Sequence, residues 1–284
     1  MTNKPKIVIA SIARNVTKTF TGDYERIIGA FSDFEIVNWI IIESNSTDNS
    51  KEFLNDFSNS SNIIIHKSIS SNIDEQSFRT QELAKARNTY LDIFQKINNR
   101  SSVDYLVVCD LNNLNNKLGK NAVNSCWENN EWAALTANQD GPYYDVWALR
   151  HKYWNNYDCW ERYEELNKFY AKSTLALWDS VYSRMIKIPT YKNWIEVDSA
   201  FGGIAIYRTQ FIENCRYIGV TSDKKQVCEH VSFNAGITKN GGSIFINPNF
   251  INFKLTDHSR RKKYFKYYNF KFYVAKVLKS KLYN

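Results

Sequence analysis

Three apolar segments of the sequence are each followed directly by polar residues. Asp110 and Asn112 stand two positions apart after one segment, and oxygen ligands at this spacing can hold a hard divalent cation that completes its shell with water and phosphate. Each such residue alone is ordinary turn chemistry, but their recurrence after successive predicted strands indicates a ligand site. The residues that follow the other two segments are Ala13, Arg14, Asn15, Glu43 and Asp48.

Two arginines in a long helical pattern could bind the phosphates of such a ligand. Arg79 and Arg87 are eight residues apart, a little more than two helical turns, so they lie on roughly one face of the helix. A guanidinium group is always charged and presents a fixed fork of donors, which suits a diphosphate. No P-loop or GxGxxG motif accompanies them, so phosphate binding would depend on cationic side chains or a metal ion. Solvated helix arginines are the alternative.

Later residues could provide a general base. Asp198 lies shortly before Gly202 and Gly203, and paired glycines let the backbone approach a sugar closely. Glu229 is a second candidate base, although the same acid would also suit a helix N-terminus, where the helix dipole favours negative charge. The adjacent His230 could act as a base or as a metal ligand.

A short segment of the second half combines aromatic, acidic and basic side chains. Tyr144, Trp147 and Arg150 suit the hydroxyls and apolar faces of a sugar, and core packing is the alternative for the rings. Asp145 is an acid among these aromatics and could bind sugar hydroxyls or serve as a catalytic carboxylate. His258, soon after the last predicted strand, is a further candidate metal ligand.

Short β-branched apolar runs alternate with helical patterns in the first half of the chain. Such runs are buried on both faces of a parallel sheet, so they predict an α/β fold with a doubly wound, mostly parallel sheet flanked by helices. This kind of sheet binds its ligand outside the carboxyl ends of its strands. The predicted strands are 6–12, 39–42, 62–66 and 105–109, with helices at 49–57 and 74–97.

The second half has a less regular pattern. Its predicted strands are 133–137, 203–207, 243–246 and 250–253, with a helix at 229–235. Between the first two of these strands lies an aromatic-rich region, 143–194, which we expect to form an acceptor subregion. No repeat or clean linker divides the chain, so one α/β domain with this subregion is the simplest description.

Composition excludes several classes of protein. With 284 residues, 43% of them hydrophobic, the chain can bury a full core, and no apolar stretch approaches the ~20 residues of a membrane-spanning helix. The five cysteines are scattered without a CxxC pair, which argues against a disulfide framework and a cysteine zinc site. The N-terminus shows no secretory signal pattern, so we expect a cytoplasmic protein.

The net charge of +8 is concentrated at the C-terminus. Nine of the 37 Lys/Arg residues follow Asp257, whereas none of the 29 Asp/Glu residues do, so the rest of the chain is near neutral. Aromatic residues alternate with these charges, which predicts a basic C-terminal helix suited to an anionic membrane surface. Packing of the aromatic side on the domain is the alternative. Nothing in the neutral body resembles a nucleic-acid recognition module, so no nucleic-acid partner is expected.

The motifs together resemble a known class of enzyme. Segments 43–48, 79–88 and 110–112 resemble the nucleotide-sugar half of GT-A glycosyltransferases, and their order is most similar to the fungal capsule-associated α-1,3-mannosyltransferase-like family and its bacterial relatives. The later segments that add to this likeness are 141–150, 198–203 and 228–230.

The resemblance implies a UDP- or GDP-sugar donor. Its nucleotide would lie against Ala13, Arg14, Asn15, Glu43 and Asp48, and its diphosphate near Arg79, Arg87 and Asp110. Asp110 and Asn112 occupy the positions of the family's Asp-x-Asp motif, which binds Mn²⁺ or Mg²⁺. His230 and His258 would be further ligands. Asparagine in place of the second aspartate removes one negative charge, which weakens the predicted dependence on metal.

We therefore expect a glycosyltransferase domain at 1–258, with a nucleotide-sugar half at 1–116 and an acceptor half at 117–258, followed by the basic tail 259–284. It would transfer a sugar to a glycan or lipid-linked acceptor in surface polysaccharide or glycoconjugate synthesis, held by the tail at the inner membrane face. Two alternatives remain open. A sugar nucleotidyltransferase would need a Gly-rich phosphate loop, which is missing here, and a non-catalytic nucleotide- or glycan-binding relative would fit the loss of the second aspartate.

Overall fold

A computed structural model describes residues 4–70, 78–257 and 259 of the chain. The strands, numbered in chain order, are β1 (Lys6–Ala13), β2 (Glu35–Ser44), β3 (Ile64–Ile69), β4 (Tyr105–Cys109), β5 (Ala134–Gln139), β6 (Ile195–Val197), β7 (Ile204–Arg208) and β8 (Ile244–Phe253). They form a single sheet in the order β3-β2-β1-β4-β7-β5-β8-β6. The helices are α1 (Phe20–Ala30), α2 (Ser50–Asn59), α3 (Arg79–Ser101), α4 (Lys120–Asn124), α5 (Cys159–Asn167), α6 (Ser173–Ser180) and α7 (Glu229–Lys239).

The apolar strands are covered by helices on both faces. In β1, Val8 and Ala10 belong to a hydrophobic cluster that includes residues of α3 and α7. The alternate residues Ile7 and Ile9 belong to a second cluster that includes residues of α1, α2 and α4. All four side chains are fully buried, as expected where successive residues of a strand point to opposite faces. The predicted α/β architecture, a doubly wound sheet flanked by helices, is confirmed.

The sheet is mostly parallel, with two reversed strands. The pairings β1 with β2, β2 with β3, β1 with β4, and β5 with β8 are parallel. Strand β7 lies antiparallel between β4 and β5, and β6 lies antiparallel to β8. Six strands therefore end at the same edge of the sheet, whereas β7 begins there. We call this the carboxyl edge.

Several element boundaries differ from the sequence prediction. The segments predicted as strands 243–246 and 250–253 form one continuous strand, β8, and its register against β5 shifts around Asn138. Strand β3 begins at Ile64 rather than residue 62, and α3 begins at Arg79 within the predicted helix 74–97. Strand β2 is longer than the apolar run at its centre because residues before that run, Glu35, Ile36 and Asn38, also pair with β1.

In the described part of the chain, no helix combines the length and apolarity needed to cross a membrane. The five cysteines are buried free thiols, in agreement with the absence of a disulfide framework. The predicted basic C-terminal helix and His258 lie outside the described residues.

Candidate functional site

A buried arginine joins two acids at the carboxyl edge. Arg87, in the middle of α3, donates from Nε to Glu229 Oε1 at 2.9 Å, and its Nη2 lies 3.4 Å from Asp110 Oδ1. Its guanidinium also lies over the rings of Phe201 and Tyr217, with centroid distances of 5.3 and 5.6 Å. Burial alone would lower the pKa of Arg87, but its neighbours raise that pKa well above the ordinary value, so the group is permanently charged.

Asp110 follows the last residue of β4, and its position depends on that strand. Its side chain is 25% exposed, so part of the carboxylate remains accessible at the carboxyl edge while it pairs with Arg87. Burial raises the pKa of Asp110, and the nearby positive charges of Arg87 and, more weakly, Arg79 oppose that rise. Arg79 is the first residue of α3 and is exposed, so the N-terminal end of this helix carries a cation whose charge reaches Asp110.

Two glycines connect Asp110 to a third acid. Gly202 and Gly203 have φ values of +73° and +93°, a backbone conformation that favours glycine. The Gly202 N–H donates to Asp145 Oδ2 at 2.9 Å, and the Gly203 carbonyl accepts from the backbone N–H of Asp110 at 2.8 Å. A Cβ atom at Gly203 would lie 3.1 Å from the Tyr144 hydroxyl, so this half-buried tyrosine borders the same turn. We call residues 202 and 203 the glycine turn.

Buried amides hold the glycine turn from below. Asn252, near the end of β8, donates to the Gly202 carbonyl at 2.8 Å and to Asn115 Oδ1 at 2.9 Å. Gln139, the last residue of β5, donates to the same carbonyl at 3.1 Å, and Asn115 donates to the Asp110 carbonyl at 2.6 Å. The network therefore fixes the backbone on both sides of the cleft.

Asp145 is a third acid of this region, and burial alters its acidity. Burial raises the pKa of Asp145 to about 6, and the charges of Asp110 and Glu229 add to the rise, while the backbone N–H groups of Gly202 and Ala148 oppose it. A carboxylate with this pKa is ionised at pH 7 and basic enough to accept a proton from a bound hydroxyl. Its position beside the glycine turn brings it close to the Arg87 cluster.

The loops after β1 and β2 are tied to each other. Asn15 has φ +56°, and its Oδ1 accepts a hydrogen bond from the Thr47 N–H at 2.8 Å. Asp48 accepts hydrogen bonds from the Ser50 N–H at 3.0 Å and from the Thr17 hydroxyl at 2.9 Å. Hydrogen bonds from the Ser50 and Thr17 hydroxyls lower the pKa of Asp48. Both side chains thus close the two loops against each other.

The remaining predicted nucleotide-binding residues lie beside these loops. Ala13 ends β1 and is buried, and Arg14 follows it with an exposed side chain. Glu43 is 3% exposed and accepts a hydrogen bond from the Ser46 N–H at 2.9 Å. Asn112 has φ +64°, and its amide nitrogen donates to the Arg14 carbonyl at 3.2 Å. The structure thus brings the ends of β1, β2 and β4 together at one edge.

Three predicted residues lie apart from this cluster. Trp147 and Arg150 both donate to Asp158 Oδ2, at 2.8 and 3.0 Å. Asp158 in turn caps the N-terminus of α5 through the N–H of Trp160, so these residues fix the fold of the aromatic region. Asp198 is exposed and lines a cavity with the start of β8, at the end of the sheet opposite the carboxyl edge.

His230 lies behind the cluster. Its ring is 3% exposed and stacks on Phe201 with a centroid distance of 3.8 Å. Burial and the charge of Arg87 hold the pKa of His230 well below its ordinary value, so the ring is neutral. Neither ring nitrogen has a hydrogen-bond partner among the described residues, and Glu229 Oε1 lies 3.9 Å from Nε2. This environment favours packing behind Arg87 over contact with a ligand.

Several contributors to the site were not found from the sequence. The amides Asn115, Gln139 and Asn252 support the glycine turn, and the Tyr90 hydroxyl, which donates to Tyr217 at 2.8 Å, lies 3.5 Å from Arg87 Nη1. A signal for two of the amides existed, because Gln139 and Asn252 stand among apolar residues of β5 and β8, and both are fully buried in the fold. Such residues need internal hydrogen-bond partners.

No protein-family model matches the sequence, and no curated protein matches it. Among solved structures, the chain is similar to S. aureus TarS residues 1–349 at 10% identity, over 88% of this chain and 60% of that one, with a TM-score of 0.48. It is also similar to the mannosyltransferase PcManGT from Pyrobaculum calidifontis, solved with GDP-Man and Mn²⁺, at 12% identity over 89% and 57% of the two chains, with a TM-score of 0.45.

A third similar structure is glucosyl-3-phosphoglycerate synthase from Mycobacterium tuberculosis, at 12% identity over 88% of this chain and 67% of that one, with a TM-score of 0.39. The chain thus spans less than two thirds of the length of the first two proteins. The fungal capsule-associated family is not confirmed by these comparisons.

Proposed function

We propose that this chain is a GT-A-like glycosyltransferase that moves a sugar from a UDP- or GDP-sugar onto a glycan or lipid-linked acceptor, in surface polysaccharide or glycoconjugate synthesis. The observation that carries the proposal is the convergence of Arg87, Asp110, Glu229 and Asp145 around the glycine turn. Doubly wound sheets bind ligands at this edge. The resemblance of the segments after β2 and β4 to the donor half of such enzymes supports the same assignment.

The two halves of the chain divide the work in this proposal. Residues 1–116 bind the donor, with the nucleotide against the tied loops after β1 and β2 and the diphosphate near Arg79. Residues 117–258 supply the acceptor side, where Asp145, Tyr144 and the glycine turn border the cleft. In this proposal the exposed cation at the start of α3 acts on the leaving diphosphate, and the acid beside the turn acts on the acceptor hydroxyl.

The chemistry requires a leaving diphosphate and a deprotonated acceptor. In an inverting transfer, the acceptor oxygen bonds to the anomeric carbon while the bond from that carbon to the diphosphate oxygen breaks, and the nucleoside diphosphate leaves with the electron pair. The acceptor proton passes to a carboxylate. We assign this role to Asp145, because its pKa of about 6 suits a base at neutral pH. Glu229 instead holds the Arg87 guanidinium in place.

The first experiment measures hydrolysis of UDP-GlcNAc, UDP-glucose and GDP-mannose by the full chain, together with the shift of its melting temperature by UDP and GDP. We expect slow hydrolysis of one donor, lost in Asp145→Asn and retained in Asp198→Asn, the same substitution at an exposed acid away from the cluster. Nucleotide binding without turnover, even with added acceptors, would support the non-catalytic alternative. Neither binding nor turnover would overturn the proposal.

We also propose that the basic tail attaches the enzyme to the cytoplasmic face of the membrane, where a lipid-linked acceptor would be available. The supporting observation is the charge distribution, because nine Lys/Arg residues and no acids follow Asp257. Co-sedimentation with vesicles containing anionic lipid tests this idea, and a chain that lacks residues 260–284 is the control. Equal binding by both chains would contradict it.

A further inference from the structure

Donors of the proposed class are often bound with Mn²⁺ or Mg²⁺, so the residues at the carboxyl edge can be tested for their fit to a divalent cation. Such a cation takes about six oxygen ligands. No group of three or more His, Cys, Asp or Glu side chains that could hold a metal exists within the described ranges. One oxygen of Asp110 lies 3.4 Å from Arg87 Nη2, so the arginine competes with a cation for this carboxylate.

Asn112 does not compensate for this loss. Its backbone lies in the left-handed region, and its amide is directed at the loop after β1. The nitrogen donates to the Arg14 carbonyl at 3.2 Å, and the oxygen accepts from the Thr19 hydroxyl at 3.3 Å. The side chain thus connects two loops. His230 is buried against Phe201, so it is not placed to serve as a metal ligand either. The described residues therefore do not fit a divalent cation.

The positive charge at this edge comes from arginines. Arg79 is exposed at the start of α3, and its charge acts on Asp110. Arg14 is exposed at the end of β1, across the loop from Asn112. Among the residues that the structure describes, no carboxylate lies within ion-pair distance of either guanidinium. Arg87, by contrast, is engaged by Glu229 and Asp110 and has little charge left to offer.

We infer that the donor diphosphate binds without a divalent cation, neutralised by the guanidinium groups of Arg79 and Arg14, while Arg87 balances the acids beneath it. This inference rests on the proposed function and specifies how its donor is held. A guanidinium can donate two hydrogen bonds to a phosphate, which gives both charge and orientation to the leaving group. The loss of the second aspartate then has a physical reason, because an arginine-bound diphosphate needs no further anionic metal ligand.

The test is a calorimetric titration of the metal-stripped full chain with UDP, GDP, UMP and GMP, each with EDTA or with Mn²⁺. We expect one diphosphate to bind equally well in both conditions. Arg79→Ala should weaken that binding roughly 10- to 100-fold, the range for a charge-assisted hydrogen bond, and should weaken monophosphate binding less. Arg100→Ala is the matched control, because Arg100 is exposed at the other end of the same helix.

Each outcome has a distinct meaning. Binding that requires Mn²⁺, or that Arg79→Ala leaves unchanged, would overturn the inference and leave the proposed glycosyltransferase intact. Direct titration with Mn²⁺ alone gives a second readout, since a saturable site in the absence of nucleotide would also overturn it. If no nucleotide binds in either condition, the proposed function itself fails.

Discussion

The fold surrounds Arg150 and Arg87, which were both predicted to bind a ligand, with different clusters of partners. Arg150 has one acidic partner, Asp158, and its guanidinium also donates to the carbonyls of Trp147 and Leu149. Arg87 has two acidic partners, Asp110 and Glu229, and the charges of both also act on Asp145. The first cluster is balanced in charge and satisfied in its hydrogen bonds, whereas the second carries an excess of acid that faces a cleft.

The comparison shows what distinguishes a functional polar cluster from a structural one. In the cluster around Arg150, each group has a partner within the fold, and the result is a fixed aromatic region with a capped helix. In the cluster around Arg87, burial and repulsion between acids raise a carboxylate pKa, which costs stability. Groups kept at such a cost are candidates for chemistry.

The largest expected effect comes from removing the arginine that holds the acids. Arg87→Met should lower the free energy of unfolding by about 3 to 5 kcal/mol, because it leaves two acids without their buried counter-charge. Urea unfolding followed by circular dichroism measures this loss. Arg87→Lys should recover part of the stability, since it restores the charge without the forked geometry. Full stability of Arg87→Met would show that the acids adapt without the arginine.

The next effect concerns the proposed base. Asp145→Asn should lower kcat by roughly 10²- to 10⁴-fold, since an amide cannot accept the acceptor proton. In the wild-type enzyme, kcat should fall as the pH drops below about 6, because Asp145 becomes protonated there. The dependence of kcat on pH, measured for both proteins, gives the loss of activity and the fall at low pH. If the variant still loses activity below the same pH, another group causes that fall.

The same carboxylate gives a stability signature with a fixed sign. Its pKa is raised from the model-peptide value of 3.8 to about 6 in the folded protein, so the folded state binds the proton more tightly than the unfolded state. Its stabilising contribution is therefore present at low pH and is lost as the pH rises through about 6. The free energy of unfolding of the wild type minus that of Asp145→Asn should therefore decrease as the pH rises from 4 to 7, roughly the window between these two pKa values.

A smaller effect is expected from the balanced cluster. Arg150→Met should lower the free energy of unfolding by about 1 to 3 kcal/mol through its lost hydrogen bonds, while kcat of the folded enzyme stays unchanged. Unfolding and transfer assays on the same variant measure its free energy of unfolding and its kcat separately. A large loss of kcat with normal stability would make the two clusters functionally equivalent and would remove the contrast between them.

The smallest effect is expected at Asp198. This acid is exposed at the opposite end of the sheet, so Asp198→Asn should change stability by no more than about 0.5 kcal/mol and leave kcat within experimental error. The measurement is the same pair of assays. A strong decrease in kcat would place the acceptor at that end of the sheet and displace Asp145 from its proposed role.

The sequence predicted the fold of the first half of the chain well. Strand β4 was predicted at its observed limits, and the strand ends that carry Arg14, Glu43 and Asp110 meet at one edge, because short apolar runs on a parallel sheet leave few alternatives. The antiparallel direction of β7 and the continuity of β8 were not predicted. Both depend on pairing with strands far away in the sequence, which a local hydrophobic pattern does not encode.

The site was predictable in its residue types more than in its partnerships. Arg79 and Arg87 were predicted on one helix face, yet one is exposed and the other is buried between two acids. Trp147 and Arg150 suited a sugar by type, but their hydrogen bonds go to Asp158. Which polar groups pair with each other is decided by tertiary packing, and only groups that remain unbalanced after that pairing are available to a ligand.

The reversed strand β7 has a consequence for the synthesis of the chain. It pairs with β4 on one side and β5 on the other, so the backbone N–H and C=O groups along one edge of β4 stay unpaired until residue 208 has been made. At ~5 to 20 residues per second, the roughly hundred intervening residues take on the order of 5 to 20 seconds to emerge. An unpaired strand edge pairs readily with other chains, so a truncated product that ends before Ile204 should aggregate rather than survive as an independent module.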